Sequence, residues 1–469
     1  HTTYAVPALL TGTTAAAGSL PTYADHPDNL FSWAEGGYDL RVVEPVTDLC
    51  PTEWCGDPIG DRMPVGQRWR LLWSDLQVVA GHVFLPDGVA AGLLPPIDQN
   101  WTGFDLRDRF GDAVEGDRRI HVEAFLDLIE PAAEQPPLYF GHFMLPHTPW
   151  AYLPDGRAYL PYLMVENSFV DPGWSEDRWA VTQSHQRHLA QVEYVDHIVG
   201  QVMARLEEAG IYDEAIVVVT ADHGIGIRPG LGNRRRLVEG TIPDIAAVPL
   251  IVKAPGQVAG VVDDYPALVT DVVPTIAAMV GADLSWEAEG IALSDPDRPP
   301  RPTRTYVPVS GNTTPVVYPS PFEDVTALAR RRIRKFGPDG AFGLAPPGQA
   351  SLLGNAVTSL AAAPADDRWV ASVLNAADYE DVDAAADGLP AVTRIRLSGP
   401  DAEAGEVVAV ALNGTVTAVS ITYTLEGDEA FYLMVMMNPA HFVDGPNQIE
   451  LFHVTGAGTD RQLQRIDSG

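Results

Sequence analysis

The sequence predicts an α/β domain built on a doubly wound, mostly parallel sheet, followed by a smaller β-rich C-terminal domain. Three observations predict it. Segments that read as strand and helix alternate from the start of the chain to about residue 290. The strands of that stretch are nearly all apolar, as strands are when helices cover both faces of a sheet. Beyond about residue 389 alternating β patterns take over, and Asn413-Gly414 stands between two of them as a strong hairpin signal. At 469 residues the chain exceeds what one core usually covers. The expected division is 1–295 for the α/β domain, 296–388 for a linker with helical and irregular segments, and 389–469 for an antiparallel, sandwich-like domain.

In order, HTTYAVPALLTG (1–12) places hydroxyls before a short apolar helix that stops at Gly12. YDLRVVEP (38–45) reads as a strand after the helical DNLFSWAEGG, and LYFGHFMLPHTPW (138–150) as a buried strand running into a loop. A long helix follows. Leu189, Val192, Val195, Val199, Val202 and Leu206 recur along one of its faces, and Gly210 is placed to cap it. IVVVTADHG (216–224) and AVPLIVKAPG (247–256) are the next strands, and TDVVPTIAAMVG (270–281) is a helix with Pro274 in its first turn. The Pro/Arg-rich DPDRPPRPTR leads to a basic amphipathic helix over 324–335 and then to loops and short helices over 337–388.

A formal charge of −33 excludes nucleic acid as a partner, because a phosphate backbone needs a positive surface. It also repels an anionic substrate unless local cations reverse the field. The two cysteines, Cys50 and Cys55 in DLCPTEWCGD, form no zinc pattern. They read as a disulfide closing a small loop, which would place the chain outside the cytoplasm, or as two free thiols. No apolar run is long enough to span a membrane, by the measure of about 18 residues. The start at His1, without Met or signal peptide, reads as a processed or excised piece of something longer.

The chemistry concentrates where strands end. Ligands of open α/β sheets bind beyond the carboxyl ends of the strands. There IVVVTADHG finishes on Asp222 and His223, a carboxylate and an imidazole suited to a divalent cation, with Gly224 letting the backbone turn. Alone, the pair could equally cap a loop and pack. His147, held between Pro146 and Pro149, lies past another strand end. The threonines before the first helix face backbone N–H groups and the positive end of its dipole, a place for an oxyanion or for an ordinary cap. Arg234, Arg235 and Arg236 would supply positive field for a phosphate, or form an exposed basic loop.

VVVTADHG, PHTPW, the helix ending LEEAGIYDEA, VPLIVKAPG and TDVVPTIAAMVG together resemble the sulfatase-like division of the alkaline phosphatase superfamily, over roughly 1–285. The resemblance implies an alkaline phosphatase-like doubly wound sheet, a divalent metal, and a nucleophile at the start of a helix ending LLTG. Sulfatases carry the Cys or Ser precursor of formylglycine in C-x-P-S-R-x-x-L-L-T-G. Here Thr2 occupies its place, and Tyr4, Ala5 and Val6 fall where the Pro, Ser and Arg would be. The formylglycine signature is absent. Threonine there resembles the lipoteichoic acid synthase and phosphoglycerol transferase branch.

That branch implies Thr2 as nucleophile and metal ligand, with Thr3 if the register slips by one. It implies Asp222 and His223 as metal ligands and His147 as a catalytic or phosphate-contacting group; apart from the resemblance, Arg235 and Arg236 are expected as substrate contacts on their charge and fork geometry. The metal it implies is one manganese-type ion, with calcium or zinc as the other candidates. The family's first acidic ligand lies upstream of the nucleophile, so that ligand and its strand are expected outside this chain. The expected activity is a metal-dependent hydrolase or transferase of phosphate (di)esters at the extracellular face. Its substrate would be a cell-envelope polymer or lipid head group, and its membrane tether would lie in segments this chain lacks. The alternatives are a sulfate-ester hydrolase on the same fold and a catalytically incomplete cell-surface ectodomain with a binding role.

Overall fold

A computed structural model describes residues 1–60, 65–85, 117–131, 134–159, 165–170, 173–235, 237, 240–306, 316–319, 323–360, 362–363, 369–399, 403–425, 429–456 and 458–468. The chain forms two compact units, each assembled from three stretches. The first comprises His1–Leu145, Ile198–Ile225 and Arg236–Glu323; the second comprises Pro146–His197, Gly226–Arg235 and Asp324–Gly469. The units interleave along the chain, whereas the sequence reading runs in consecutive blocks.

In the first unit the opening segment forms the helix Thr2–Thr11, which ends on Gly12 in the left-handed region at φ 70°. A side chain there would be strained by that φ and would meet Ala288 and the Thr270 carbonyl at 3.1 and 3.3 Å. Asn29 and Ser32 form a capping box that starts the short helix Leu30–Ala34. Leu10, Phe31, Leu49 and Val273 form one core, and Val43, Phe125, Ile129 and Leu206 another. The strands Asp39–Val43 and Pro137–Gly141 pair in parallel, Asp39 opposite Pro137 and Val43 opposite Gly141. The helix Arg119–Leu128 turns Val122, Ala124 and Phe125 inward.

The expectation of one doubly wound parallel sheet meets a different arrangement. Val217–Thr220 pairs with Leu250–Lys253 in antiparallel fashion, and among the described residues this ladder and the parallel pair are separate. The length of the connection, residues 221–249, would also allow a parallel return. A parallel return needs a crossover of a dozen or more residues, usually a helix. Between these two strands the described residues hold only the four-residue helix Ile242–Ile245. The helix Val272–Val280 follows as expected, ending on Gly281 at φ 77°. Its N-cap, Asp271, is fully buried and receives two bonds from Arg301, at 2.6 and 2.9 Å, and the N–H groups of Leu268 and Ile291. Cys50 and Cys55 are joined as a disulfide, with Cα atoms 6.2 Å apart.

The second unit contains the β-rich C-terminal region. Its sheet runs in the order Thr415–Ile421, Val407–Leu412, Ile449–Thr455, Gln462–Ser468, Val370–Val373, Val392–Ser398, Phe431–Met436, Tyr423–Thr424, with Ala362–Ala363 added beside Gln462–Ser468. Most pairs are antiparallel, but Gln462–Ser468 runs parallel to Val370–Val373 and to Ala362–Ala363. The Asn413-Gly414 hairpin forms, with φ of 52° and 78° at the two turn residues, as a type I′ turn requires. Leu153, Tyr159, Trp369, Ile395 and Leu433 share its larger core. The basic segment is the helix Glu323–Phe336. Among the described residues no helix is long and apolar enough to cross a membrane.

Candidate active site

In the first unit, the strand Val217–Thr220 ends two residues before Asp222, and the helix Thr2–Thr11 begins beside it. The Thr2 hydroxyl donates to Asp222 Oδ2 at 2.6 Å. The hydroxyl on this carboxylate thus belongs to Thr2, the residue that the LLTG register picks out, and not to Thr3. The other oxygen, Oδ1, accepts the backbone N–H of His223 at 2.8 Å. Burial works against ionisation of Asp222. The neighbouring His223, the Thr2 hydroxyl and His142 outweigh it and hold the carboxyl below its ordinary range.

His223 Nδ1 lies 2.8 Å from the Gly224 carbonyl. A carbonyl only accepts, so Nδ1 carries a proton. Nε2 then turns toward Asp222 Oδ2, 3.6 Å away. In the neutral tautomer that nitrogen and that oxygen are both acceptors, and two acceptors facing each other call for a proton or a cation between them. Gly224 makes the turn possible, because a Cβ there would stand 2.2 Å from the Asp244 carbonyl oxygen.

Sequence reasoning missed His142. It follows the strand Pro137–Gly141 directly, donates its backbone N–H to the Val43 carbonyl at 2.9 Å, and has a buried Nδ1 with no hydrogen-bond partner. Burial lowers its pKa, against the pull of Asp222 and with a push from His223. Its position one residue past a strand end was the available signal.

The family resemblance implies a divalent ion beside this donor set. Among the described residues no group of three or more His, Cys, Asp or Glu side chains could hold an ion. Asp222, His223 and the Thr2 hydroxyl offer oxygen and nitrogen donors of the kinds that divalent ions take.

The second unit holds the other predicted residues. His147 Nδ1 faces the Thr148 carbonyl at 2.6 Å, and its Nε2 accepts from the Arg235 guanidinium at 3.0 Å. The imidazole in this arrangement is neutral, with its Nε2 lone pair engaged. Arg234 donates to the Thr148 hydroxyl at 3.1 Å and lies over the Phe169 ring at 5.8 Å. Arg236 lies outside the described residues.

A family model described as Sulfatase matches residues 95–282. A steryl-sulfatase of Mus musculus is 32% identical over 139 residues, 27% of this chain and 21% of that protein. A choline-sulfatase of Rhizobium meliloti (strain 1021) is 31% identical over 119 residues, 24% of this chain and 22% of that protein. The chain thus spans about a fifth of the length of these curated relatives. Among solved structures, a phosphonate monoester hydrolase from Silicibacter pomeroyi aligns at TM-score 0.40 and 18% identity, covering 71% of this chain and 85% of that one. Family model and curated relatives support the sulfatase family.

Proposed function

We propose that this chain is the catalytic portion of a sulfatase-family hydrolase that opens phosphate esters with Thr2 as the attacking oxygen. The hydrogen bond from Thr2 to Asp222 carries the reading. It brings the first hydroxyl of the LLTG helix onto the carboxylate at a strand's carboxyl end. Asp222, with its depressed pKa, is a weak base. Its role is to orient the Thr2 oxygen and to add negative charge that attracts a cation.

Asp222 and His223 would hold a divalent ion, manganese first and zinc or calcium after it. When bound, the ion would neutralise charge and lower the pKa of the hydroxyl. The Thr2 oxygen forms a bond to phosphorus while the bond to the leaving alcohol breaks, and the proton given up by the Thr2 hydroxyl ends on the departing oxygen by way of solvent. Water or an acceptor alcohol then releases the phosphoryl group from Thr2. In the second unit, Arg235, hydrogen-bonded to His147 Nε2, carries a guanidinium charge of the kind that suits a tetrahedral anion. We place the activity outside the cytoplasm, a location in keeping with the Cys50–Cys55 disulfide.

A sulfate ester is the second reading, and the sulfatases among the curated relatives favour it. Turnover of bis(4-nitrophenyl) phosphate against 4-nitrophenyl sulfate separates the two, run with manganese and with a chelator. Mass spectrometry of rapidly quenched enzyme then locates the intermediate. Phosphate on Thr2 supports the proposal. Phosphate on another residue, or turnover of the sulfate alone, ends it.

A further inference from the structure

We propose that the second unit carries a binding pocket for a ring-bearing organic anion, walled by Trp150, Phe169 and Trp174 and charged by Arg187 and Arg234. The cavity holds about 240 Å³. Pockets that enclose a whole drug-sized ligand measure about 300–1,000 Å³, so this one takes one or two rings and leaves the rest of the molecule outside.

The walls are fixed before anything binds. The Trp150 and Trp174 indoles stack with centroids 6.1 Å apart and planes 6° from parallel, and Phe169 meets Trp174 edge-on at 5.4 Å. Trp150 Nε1 donates to the Pro146 carbonyl at 3.0 Å and Trp174 Nε1 to the Gly226 carbonyl at 2.7 Å. With both N–H groups satisfied by backbone, the rings present apolar surface to the cavity at no polar penalty.

The charge is equally specific. Arg187 is 4% exposed and stands over the Tyr159 ring at 5.7 Å, with one N–H on the Met434 sulfur, a weak acceptor. Arg234 joins it at the cavity wall, together with the buried Ser184 hydroxyl. The two guanidinium groups put positive charge on the wall of an apolar cavity in a chain whose net charge is −33. A neutral ring would have no use for the arginines, and a small inorganic anion would have no use for the aromatic walls. A molecule with both parts uses the whole site.

The inference does not depend on the hydrolase reading, and its test avoids turnover. Naphthalene-2-sulfonate is not an ester. It is titrated calorimetrically into the full chain, and into Thr2→Val, whose loss of activity would leave this binding in place. One site is expected, with affinity at least about tenfold above that of methanesulfonate or 2-naphthalenemethanol. Val165→Phe fills the cavity and should weaken binding by about tenfold or more. Arg234→Gln should remove the preference for the sulfonate over the neutral alcohol. Circular dichroism of each variant separates a filled pocket from a lost fold, and Arg234→Gln decides if Val165→Phe does not fold. No binding by the parent, equal binding of methanesulfonate, or parent-like behaviour in the folded variants overturns the proposal.

Discussion

The Thr2 hydroxyl and the Asp222 carboxylate meet at 2.6 Å although 220 positions separate them along the chain. One comes from the first turn of a helix and the other from the turn after a strand, so neither neighbourhood accounts for the other. The contact gives the first prediction. Thr2→Val keeps the shape of the side chain and removes its oxygen, and turnover of the phosphate diester should fall at least about a thousandfold, as loss of a nucleophile does. Thr3→Val should leave turnover close to the parent's. Parallel kinetics of the two variants check it, and a greater loss at Thr3 would move the attacking oxygen by one residue.

Gly224 sits too close to Asp244 for any side chain, with 2.2 Å between a Cβ and the carbonyl oxygen. Gly224→Ala must therefore shift the segment that carries His223. We expect a loss of about 1–3 kcal/mol in stability, the usual range for overpacking. We also expect weaker manganese binding by calorimetry. An alanine variant that binds and melts like the parent would show that the loop yields freely.

Arg301 and Asp271 form the most enclosed ion pair described in the first unit, the carboxylate being wholly buried. Its hydrogen bonds to Asp271 raise the Arg301 pKa, so the guanidinium stays charged throughout the working range. Arg301→Ala leaves the Asp271 charge buried and uncompensated, and should cost about 3–5 kcal/mol. Denaturant unfolding measures the loss, which Arg301→Lys should partly restore.

His185 and His188 lie one helical turn apart in the helix Arg178–Glu208, facing Phe336 and Trp150 respectively. Burial, and then the charge of Arg332, push the His188 pKa down to about 3, and burial lowers that of His185 too. With folded values below the unfolded ones, the unfolded chain takes up protons first. The stability from keeping these rings neutral is present above about pH 6.5 and is lost as pH falls toward 3. His185→Gln/His188→Gln should melt with a flatter dependence on pH between 6.5 and 4. Melting curves across that window check it; parallel slopes in parent and variant would refute it.

Local chemistry was legible in the sequence. Asn413-Gly414 specifies its own turn, and Gly12, Gly210 and Gly281 end their helices because only glycine enters the left-handed region freely. Strand direction was not legible between 217 and 253. Two apolar runs say that both are buried, and nothing in them says which way the second one points. The meeting of Thr2 and Asp222 was anticipated through resemblance to a family rather than through spacing. His142 was passed over because a buried nitrogen without a partner is a property of packing, which a single sequence does not display.

The interleaving of the two units bears on how the protein is made. Leu153, Tyr159 and Ala190 belong to a core completed by Ile395, Leu433 and Leu451. On the ribosome the earlier residues therefore emerge long before the strands that cover them. The segment from Pro146 to His197 must wait, apolar side chains unshielded, until the later strands of the second unit have emerged. Completion of the second unit thus waits on its last strands, and an interrupted synthesis would leave a sticky intermediate rather than a finished half.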